Sequence, residues 1–139
     1  MKTDPNCIFC KIVAGEVPCF KLREDDRTLA FMDINPAGQG HALVISKAHH
    51  VDLFAMPETL LAACAATAKA VASAVQLTLA PDGLNLVQAN GPGAAQSVPH
   101  FHIHVLPRRR GDKLYLNWGL EPGDRDEIAA LADRIKANL

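Results

Sequence analysis

His100-Phe101-His102-Ile103-His104-Val105-Leu106 carries three imidazoles at every second position, with apolar residues between them. Alternate side chains of an extended strand share one face and lie about 6.7 Å apart, so the spacing predicts a strand with a row of histidines on one face. Phe101, Ile103 and Val105 would then point into a core. A strand face merely rich in histidine is a weaker explanation, because three of the six histidines fall within five residues. The row can bind a metal ion, or it can bind a phosphate group and attack it.

The composition around this strand is that of one globular domain over residues 1–139, because 49% of the residues are hydrophobic and can form a core. The formal net charge of −1 argues against a nucleic-acid partner. The N-terminus lacks the apolar core of a signal peptide, and no run approaches transmembrane length, so we expect no membrane partner and a cytoplasmic location. Four cysteines in such a chain suggest metal ligands or free thiols before disulfides.

Four more strands and three helices are predicted around the histidine strand. The strands are expected at 20–23, 28–32, 41–45 and 84–88. A short helix is expected at 8–13, a long helix opened by Pro57, and a C-terminal helix at 124–138 capped by Asp124, with the apolar stripe Ile128, Leu131 and Ile135. Because most strands follow each other directly, the sheet should be largely antiparallel. The predicted fold is α+β: a five-stranded, mostly antiparallel sheet with one long central helix and a C-terminal helix.

Four blocks of sequence occur together in one order. They are Cys7-Ile8-Phe9-Cys10-Lys11-Ile12 with Gly15-Glu16, Ala30-Phe31-Met32-Asp33-Ile34-Asn35-Pro36, Gly40-His41-Ala42-Leu43-Val44-Ile45-Ser46-Lys47-Ala48-His49, and Gln96-Ser97-Val98-Pro99 leading into the histidine strand. A lone His-x-His-x-His would be weak evidence, but together the blocks resemble the histidine-triad (HIT) nucleotide-binding family, specifically its short bacterial zinc-containing branch. The resemblance covers about residues 7–107. It implies a single HIT domain with a zinc-tethered segment 1–18, a C-terminal tail and helix at 108–139, and a twofold homodimer.

The resemblance implies that His102 attacks the α-phosphorus of a nucleotide and carries the nucleotidyl group until water removes it. A neutral imidazole is an effective nucleophile near pH 7, provided that its other nitrogen donates a hydrogen bond, which we expect to a backbone carbonyl. His104 would bind a phosphate oxygen or the leaving group, and His41 would be a further active-site histidine. Ser97 would donate from its hydroxyl and backbone N–H to the α-phosphate. Without the resemblance, His41 would be interpreted as a core histidine and Ser97 as a loop serine.

The resemblance also implies nucleotide-binding residues. Asp33 would accept hydrogen bonds from the ribose hydroxyls, although alone it would be interpreted as a turn residue. Gln96 would help to place the leaving group, and Asn90 could replace an amide that relatives carry where this chain has Ala89. An apolar slot for the base, which contacts every purine through its π-face, would be formed by Ile8, Phe9, Ile12, Phe31 and Ile34; each would otherwise be interpreted as a core residue.

Cys7-x-x-Cys10 suggests two thiolates of a tetrahedral zinc site. In the bacterial branch the other two ligands align with His49 and His100, and such a closed four-ligand site is structural. A redox pair, two free cysteines and a site that has lost its metal remain alternatives. His50 is a possible substitute ligand.

The predicted function is a HIT-family hydrolase or transferase that cleaves P–N or P–O bonds at the α-phosphate of purine nucleotides, such as nucleoside phosphoramidates. The alternatives are a dinucleoside polyphosphate hydrolase, a zinc-stabilised nucleotide-binding module with little turnover, and a hydrolase in which His102 and His104 bind a catalytic metal. In relatives, the segment that contains Trp118 runs near the partner's active site; packing of Trp118 in its own core is equally compatible with the sequence.

Overall fold

A computed structural model describes residues 1–116 and 119–139, so the expectation for Trp118 lies outside the described residues. The helices are α1 (Ile8–Val13), α2 (Glu58–Leu79) and α3 (Arg125–Lys136). The strands are β1 (Lys21–Glu24), β2 (Thr28–Met32), β3 (Ala42–Ser46), β4 (Gly83–Val87) and β5 (His102–Arg108). Two single-turn 3₁₀ helices lie at Leu53–Ala55 and Pro92–Ala94.

The five strands form one sheet in the order β1-β2-β3-β5-β4, and every neighbouring pair is antiparallel. The predicted α+β class and antiparallel sheet are therefore confirmed. The register places His104 opposite Leu43 of β3 and Val87 of β4, and it places His102 opposite Ile45. Because directly opposed residues project from the same face, both histidines share a face with Leu43 and Ile45.

The two faces of the sheet carry different layers. Helix α2 covers one face, where Phe101, Ile103 and Val105 join Cys64 and Val71 of the helix in the main core. The three strand residues therefore point into the core as their alternation predicts. Helix α1 covers the histidine face, where a second cluster forms from Cys7, Phe9, Cys10, Leu29, Phe31, Leu43 and Ile45.

Strand β5 begins at His102, two residues later than the repeat of histidines predicts. Pro99 has no backbone N–H to donate, and the His100 N–H donates to the Val98 carbonyl in a turn, 2.8 Å away. The ring of His100 nevertheless lies in the same layer, at 5.7 Å between ring centroids from Phe9. His100 thus belongs to the histidine face without belonging to the strand.

Helix α2 begins with Pro57 at its N-cap and ends at Leu79, followed by Ala80 with a left-handed φ of 44°. Its 22 residues are long and apolar enough, by length and composition alone, to cross a membrane, which the sequence analysis did not anticipate. The side chains of Ala63, Cys64, Thr67, Ala68 and Val71 are buried against the sheet, as in the core helix of a globular domain. This packing accounts for the apolar composition of that helix face.

Helix α3 has the predicted N-cap, since the Asp124 carboxylate accepts hydrogen bonds from the N–H groups of Asp126 and Glu127, each at 3.0 Å. Its predicted apolar stripe is not covered within the described residues, because Ile128, Leu131 and Ile135 are all more than half exposed.

Candidate active site and metal centre

Three imidazoles meet on the histidine face of the sheet. His102 and His104 project side by side from β5, with 4.9 Å between their ring centroids. His41 lies just before β3, and its Nε2 is 2.8 Å from Nδ1 of His104. Phe9 of α1 packs edge-on against His102, at 5.3 Å between ring centroids. The strand register and α1 together hold the three rings in one group.

Hydrogen bonds define the protonation of two of these rings. The backbone N–H of Ala37 donates to Nδ1 of His41 over 2.9 Å, so that this nitrogen has no proton and His41 is neutral with its proton on Nε2. This Nε2–H donates to Nδ1 of His104, which leaves the proton of neutral His104 on its own Nε2. A carboxylate oxygen of Asp33 lies 3.4 Å from the same Nε2 of His41. His104 can therefore donate a hydrogen bond to an oxygen in front of it.

The hydrogen bond expected for the predicted nucleophile is present. Nδ1 of His102 lies 2.7 Å from the backbone carbonyl oxygen of His100, which can accept only if Nδ1 carries the proton. Nε2 of His102 therefore has a free lone pair. The carbonyl that fixes this tautomer belongs to the turn that precedes β5.

Burial keeps these imidazoles neutral. It lowers the pKa of His102, although the hydrogen bond to His100 and the charge of Asp33 oppose the effect. The pKa of His104 falls to about 4, chiefly by burial and further because His102 and His41, when protonated, oppose a second positive charge beside them. Burial is also the main reason why the pKa of His41 is lowered. Near neutral pH the nitrogen lone pairs needed for attack and for hydrogen bonding are therefore available.

A cavity of about 560 Å³ opens in front of these rings. Its polar lining residues are Asp33, Asn35, Ser97 and the three imidazoles, His41, His102 and His104. The predicted slot residues line it as well, namely Ile8, Phe9, Ile12, Phe31 and Ile34. The structure thus brings most of the sequence-predicted residues around one space.

Several lining residues were missed by the sequence analysis. Leu43 follows His41 by two positions and could have been found from strand alternation alone. Val17, Pro18 and Cys19 lie in the irregular segment between α1 and β1, where no periodicity marks a face.

Asn90 and Gln96 do not line this cavity. The side-chain oxygen of Asn90 accepts from the N–H of Leu53 at 2.8 Å, and its amide also pairs with that of Gln88. The Gln96 side-chain oxygen accepts from the N–H of Gly91 at 2.8 Å. Both amides are therefore engaged within the loops beside the cavity.

A second cavity, of about 630 Å³, lies between α2 and the β1–β2 end of the sheet. Its lining is mostly apolar and contains no histidine, cysteine or carboxylate side chain. The histidine cavity is therefore the candidate active site, because it contains the groups capable of nucleophilic or acid–base chemistry.

Four buried side chains converge into a candidate metal centre. Cys7 and Cys10 come from the start of α1, His49 follows β3, and His100 precedes β5; their ligand atoms all lie within 4.8 Å of one another. The separations are 3.4 Å from Cys7 Sγ to His100 Nδ1, 3.4 Å from Cys10 Sγ to His49 Nδ1, and 3.2 Å between the two Nδ1 atoms. Tetrahedral zinc with thiolate and imidazole ligands requires ligand–ligand edges of about 3.3 to 3.8 Å. These four residues could therefore hold a metal ion.

The surroundings of the cluster support metal binding. Nε2 of His100 lies 2.7 Å from the Ser46 carbonyl oxygen, so that its proton sits on Nε2 and Nδ1 is free for a metal. All four cysteines are free thiols, and Cys64 lies instead in the core beneath α2. Helix α1 contributes to both sites: Cys7 and Cys10 belong to the cluster, while Ile8, Phe9 and Ile12 line the cavity.

The sheet and its grouped imidazoles define a histidine-triad class of α+β protein. The chain belongs to the HIT domain family, which matches residues 14–111. The adenosine 5'-monophosphoramidase HNT1 of Saccharomyces cerevisiae is 39% identical over 137 residues, which are 98% of this chain and 84% of that protein. The adenylylsulfatase HINT3 of Arabidopsis thaliana is 39% identical over 115 residues, or 83% of this chain, and the match spans 58% of that longer protein.

Solved structures agree with this assignment. A HIT family protein from Bacillus anthracis superimposes with a TM-score of 0.91 at 35% identity, over 99% of both chains. A zinc-bound histidine triad family protein from Mycobacterium smegmatis has a TM-score of 0.75 at 40% identity, over 95% of this chain and 97% of the other. The resemblance inferred from the four sequence blocks is therefore confirmed.

Proposed function

We propose that this protein is a hydrolase or transferase that acts at the α-phosphate of purine nucleotides, with nucleoside phosphoramidates as its characteristic substrates. The observation that carries the proposal is the tautomer of His102, whose Nδ1 is committed to the His100 carbonyl and whose Nε2 is free beside the cavity. Relatives in two further yeasts, 35% and 38% identical over 144 and 135 residues, are also named adenosine 5'-monophosphoramidases. These names agree with the enzyme class predicted from the sequence.

The proposed reaction has two steps. In the first, Nε2 of His102 forms a bond to the α-phosphorus while the P–N or P–O bond to the leaving group breaks; the leaving group departs with the electron pair and takes up a proton from solvent, which the second step returns. The imidazole then carries a positive charge, which the His100 carbonyl and the nearby Asp33 stabilise. In the second step, water oxygen attacks phosphorus, the P–Nε2 bond breaks, and the water proton is released.

The other cavity residues position the nucleotide. Charge builds on the phosphoryl oxygens during attack, and Nε2–H of His104 together with the hydroxyl and N–H of Ser97 would donate to them. Asp33 would accept hydrogen bonds from the ribose hydroxyls, and the apolar slot residues would contact the base. No polar side chain occurs among the slot residues, so we expect weak discrimination between purines.

The test is to mix the protein with adenosine 5'-phosphoramidate, follow release of AMP, and examine the quenched protein by mass spectrometry. A nucleotidyl adduct on wild type and its absence from His102→Ala would support covalent catalysis. Turnover that a chelator abolishes, without any adduct, would instead indicate a catalytic metal. Faster turnover of a dinucleoside polyphosphate than of the phosphoramidate would favour a dinucleoside polyphosphate hydrolase. Tight nucleotide binding without turnover would favour a zinc-stabilised nucleotide-binding module.

We also propose that Cys7, Cys10, His49 and His100 hold one structural zinc ion. The support is the convergence of their four ligand atoms, all within 4.8 Å of one another, and the zinc-bound relative from M. smegmatis. Four protein ligands leave no open position for water or substrate, so such a zinc would tie the N-terminal segment to the sheet without entering the chemistry.

We further propose a twofold homodimer formed through the edge strand β4. The other edge, β1, is fully exposed and carries the charged residues Lys21, Arg23 and Glu24, which discourage strand pairing. Strand β4 carries no charged residue, and its Leu86 is half exposed. Leu77 on α2 is 88% exposed and provides further apolar surface for a partner. The proposed setting is cytoplasmic, with no nucleic-acid or membrane partner.

A further inference from the structure

Gln96 forms a clamp around Ser97. Its side-chain oxygen accepts from the N–H of Gly91, while its own backbone N–H donates to the Gly91 carbonyl, 3.2 Å away. Its side-chain amide donates to the carbonyls of Val51, at 2.7 Å, and Val98, at 3.1 Å. One side chain thus connects the chain before Ser97, the chain after it, and a separate segment.

The loop at residues 91–97 has no buried side chain, and its backbone hydrogen bonds are internal, from the N–H of Ala94 to the Gly91 carbonyl and from the N–H of Ala95 to the Pro92 carbonyl. Gly91 has a φ of +81° and Ala95 a φ of +58°, so that both backbone positions at the ends of the Pro92–Ala94 turn are in the left-handed region. The alanines at 94 and 95 are exposed, and Ser97 itself is exposed at the cavity. A loop without buried side chains depends on its hydrogen bonds for position.

We infer that Gln96 is a positioning residue that acts through Ser97, rather than a residue that contacts the nucleotide or its leaving group. This inference rests on the proposed function. Donors to a phosphoryl oxygen are effective only when they are held in place before the reaction, and a displacement of about 1 Å can reduce the rate about 100-fold. The Gln96 amide is fully engaged with backbone groups and does not line the cavity.

The test uses Gln96→Met, which keeps the length of the side chain but removes its three hydrogen bonds. Gln88→Met is the matched control, because Gln88 is another half-buried amide of the same region whose hydrogen bonds go to Asn90 and Ala89 instead. We expect Gln96→Met to lower kcat roughly 10- to 100-fold with KM changed less than about threefold, and Gln88→Met to leave kcat within about twofold.

Two substrates separate positioning from direct contact: adenosine 5'-phosphoramidate itself, and a derivative whose amine carries a large aromatic group. A positioning residue should give the same fold-loss in kcat with both. In a Ser97→Ala background, Gln96→Met should lower kcat by a much smaller factor than it does in wild type, because the Ser97 hydroxyl that Gln96 positions is already absent.

A loss that depends on the leaving group, a rise in KM alone, or an equal loss from Gln88→Met would each overturn the inference. These outcomes differ from failure of the proposed function itself, which would appear as no turnover and no adduct in the wild-type protein.

Discussion

At the scale of single residues, the proposed chemistry depends on His102. His102→Ala should reduce turnover of adenosine 5'-phosphoramidate at least about 1000-fold, equivalent to roughly 4 kcal/mol of transition-state stabilisation, because the covalent route is lost. Nucleotide affinity, measured by calorimetry with AMP, should stay within a few-fold since the slot and Asp33 remain. His104→Ala should reduce turnover by a smaller factor than His102→Ala does. Retention of most of the wild-type rate by His102→Ala would rule out the covalent mechanism.

Two alanines have backbone conformations that suit glycine better, and Ala80 at the end of α2 offers a clear test. Its φ of 44° is left-handed. Ala80→Gly should raise the free energy of unfolding by about 0.5–1 kcal/mol, because relief of the left-handed strain exceeds the added freedom of the unfolded chain.

The control is Ala66→Gly, the same chemical change on the exposed face of α2. It should lower the free energy of unfolding by about 1 kcal/mol, since glycine disfavours a helix interior. Denaturant unfolding measures both changes. If the free energy of unfolding changed in the same direction in the two variants, this account of Ala80 would be contradicted.

Among the elements, β5 shows how far residue patterns predict structure. Alternation of His102 with Phe101 and Ile103 correctly predicts which side chains face the core, because burial on one face of a strand imposes a period of two. It does not predict where the strand begins, since the turn at His100 depends on hydrogen bonds to Val98 and on distant contacts. The same limit applies to Gln96, whose motif was recognised but whose hydrogen bonds to Gly91, Val51 and Val98 depend on the folded loop.

Helix α1 packs on the sheet through Phe9, and the proposed zinc would add a second attachment through Cys7 and Cys10. Cys10→Ser should lower the zinc content well below one ion per chain and lower the Tm, because a structural metal contributes directly to the free energy of folding. Turnover per folded molecule should change much less. Metal analysis and thermal unfolding are the measurements.

Cys64→Ala is the control for this experiment, because it removes a buried thiol from the core beneath α2 and leaves the cluster intact. It should keep a full complement of zinc. Full zinc occupancy in Cys10→Ser would place the metal elsewhere and favour the catalytic-metal alternative.

For the whole molecule, the proposed assembly can be tested at the two edges of the sheet. Leu86→Lys on β4 should convert a dimer into a species near the monomer mass of 14.9 kDa, because a charge on a half-exposed edge residue opposes strand pairing. Leu22→Lys on β1, where Leu22 is similarly exposed at 48%, should leave the dimer intact. Light scattering at micromolar concentration measures both. A wild-type protein of monomer mass would refute the dimer.

Helix α1 contributes to both the histidine cavity and the candidate metal centre, so a nucleotide and a metal ion could each influence the binding of the other. The same six-residue helix lines the histidine cavity with Ile8, Phe9 and Ile12 and carries Cys7 at its N-cap and Cys10 in its first turn, both in the candidate metal centre. Occupancy of either site should therefore favour the same docked position of the helix. Thermodynamic reciprocity then requires that any factor by which metal strengthens nucleotide binding is also the factor by which nucleotide strengthens metal binding. Under the proposed function, nucleotide should therefore reduce the extent to which a competing chelator removes the proposed zinc.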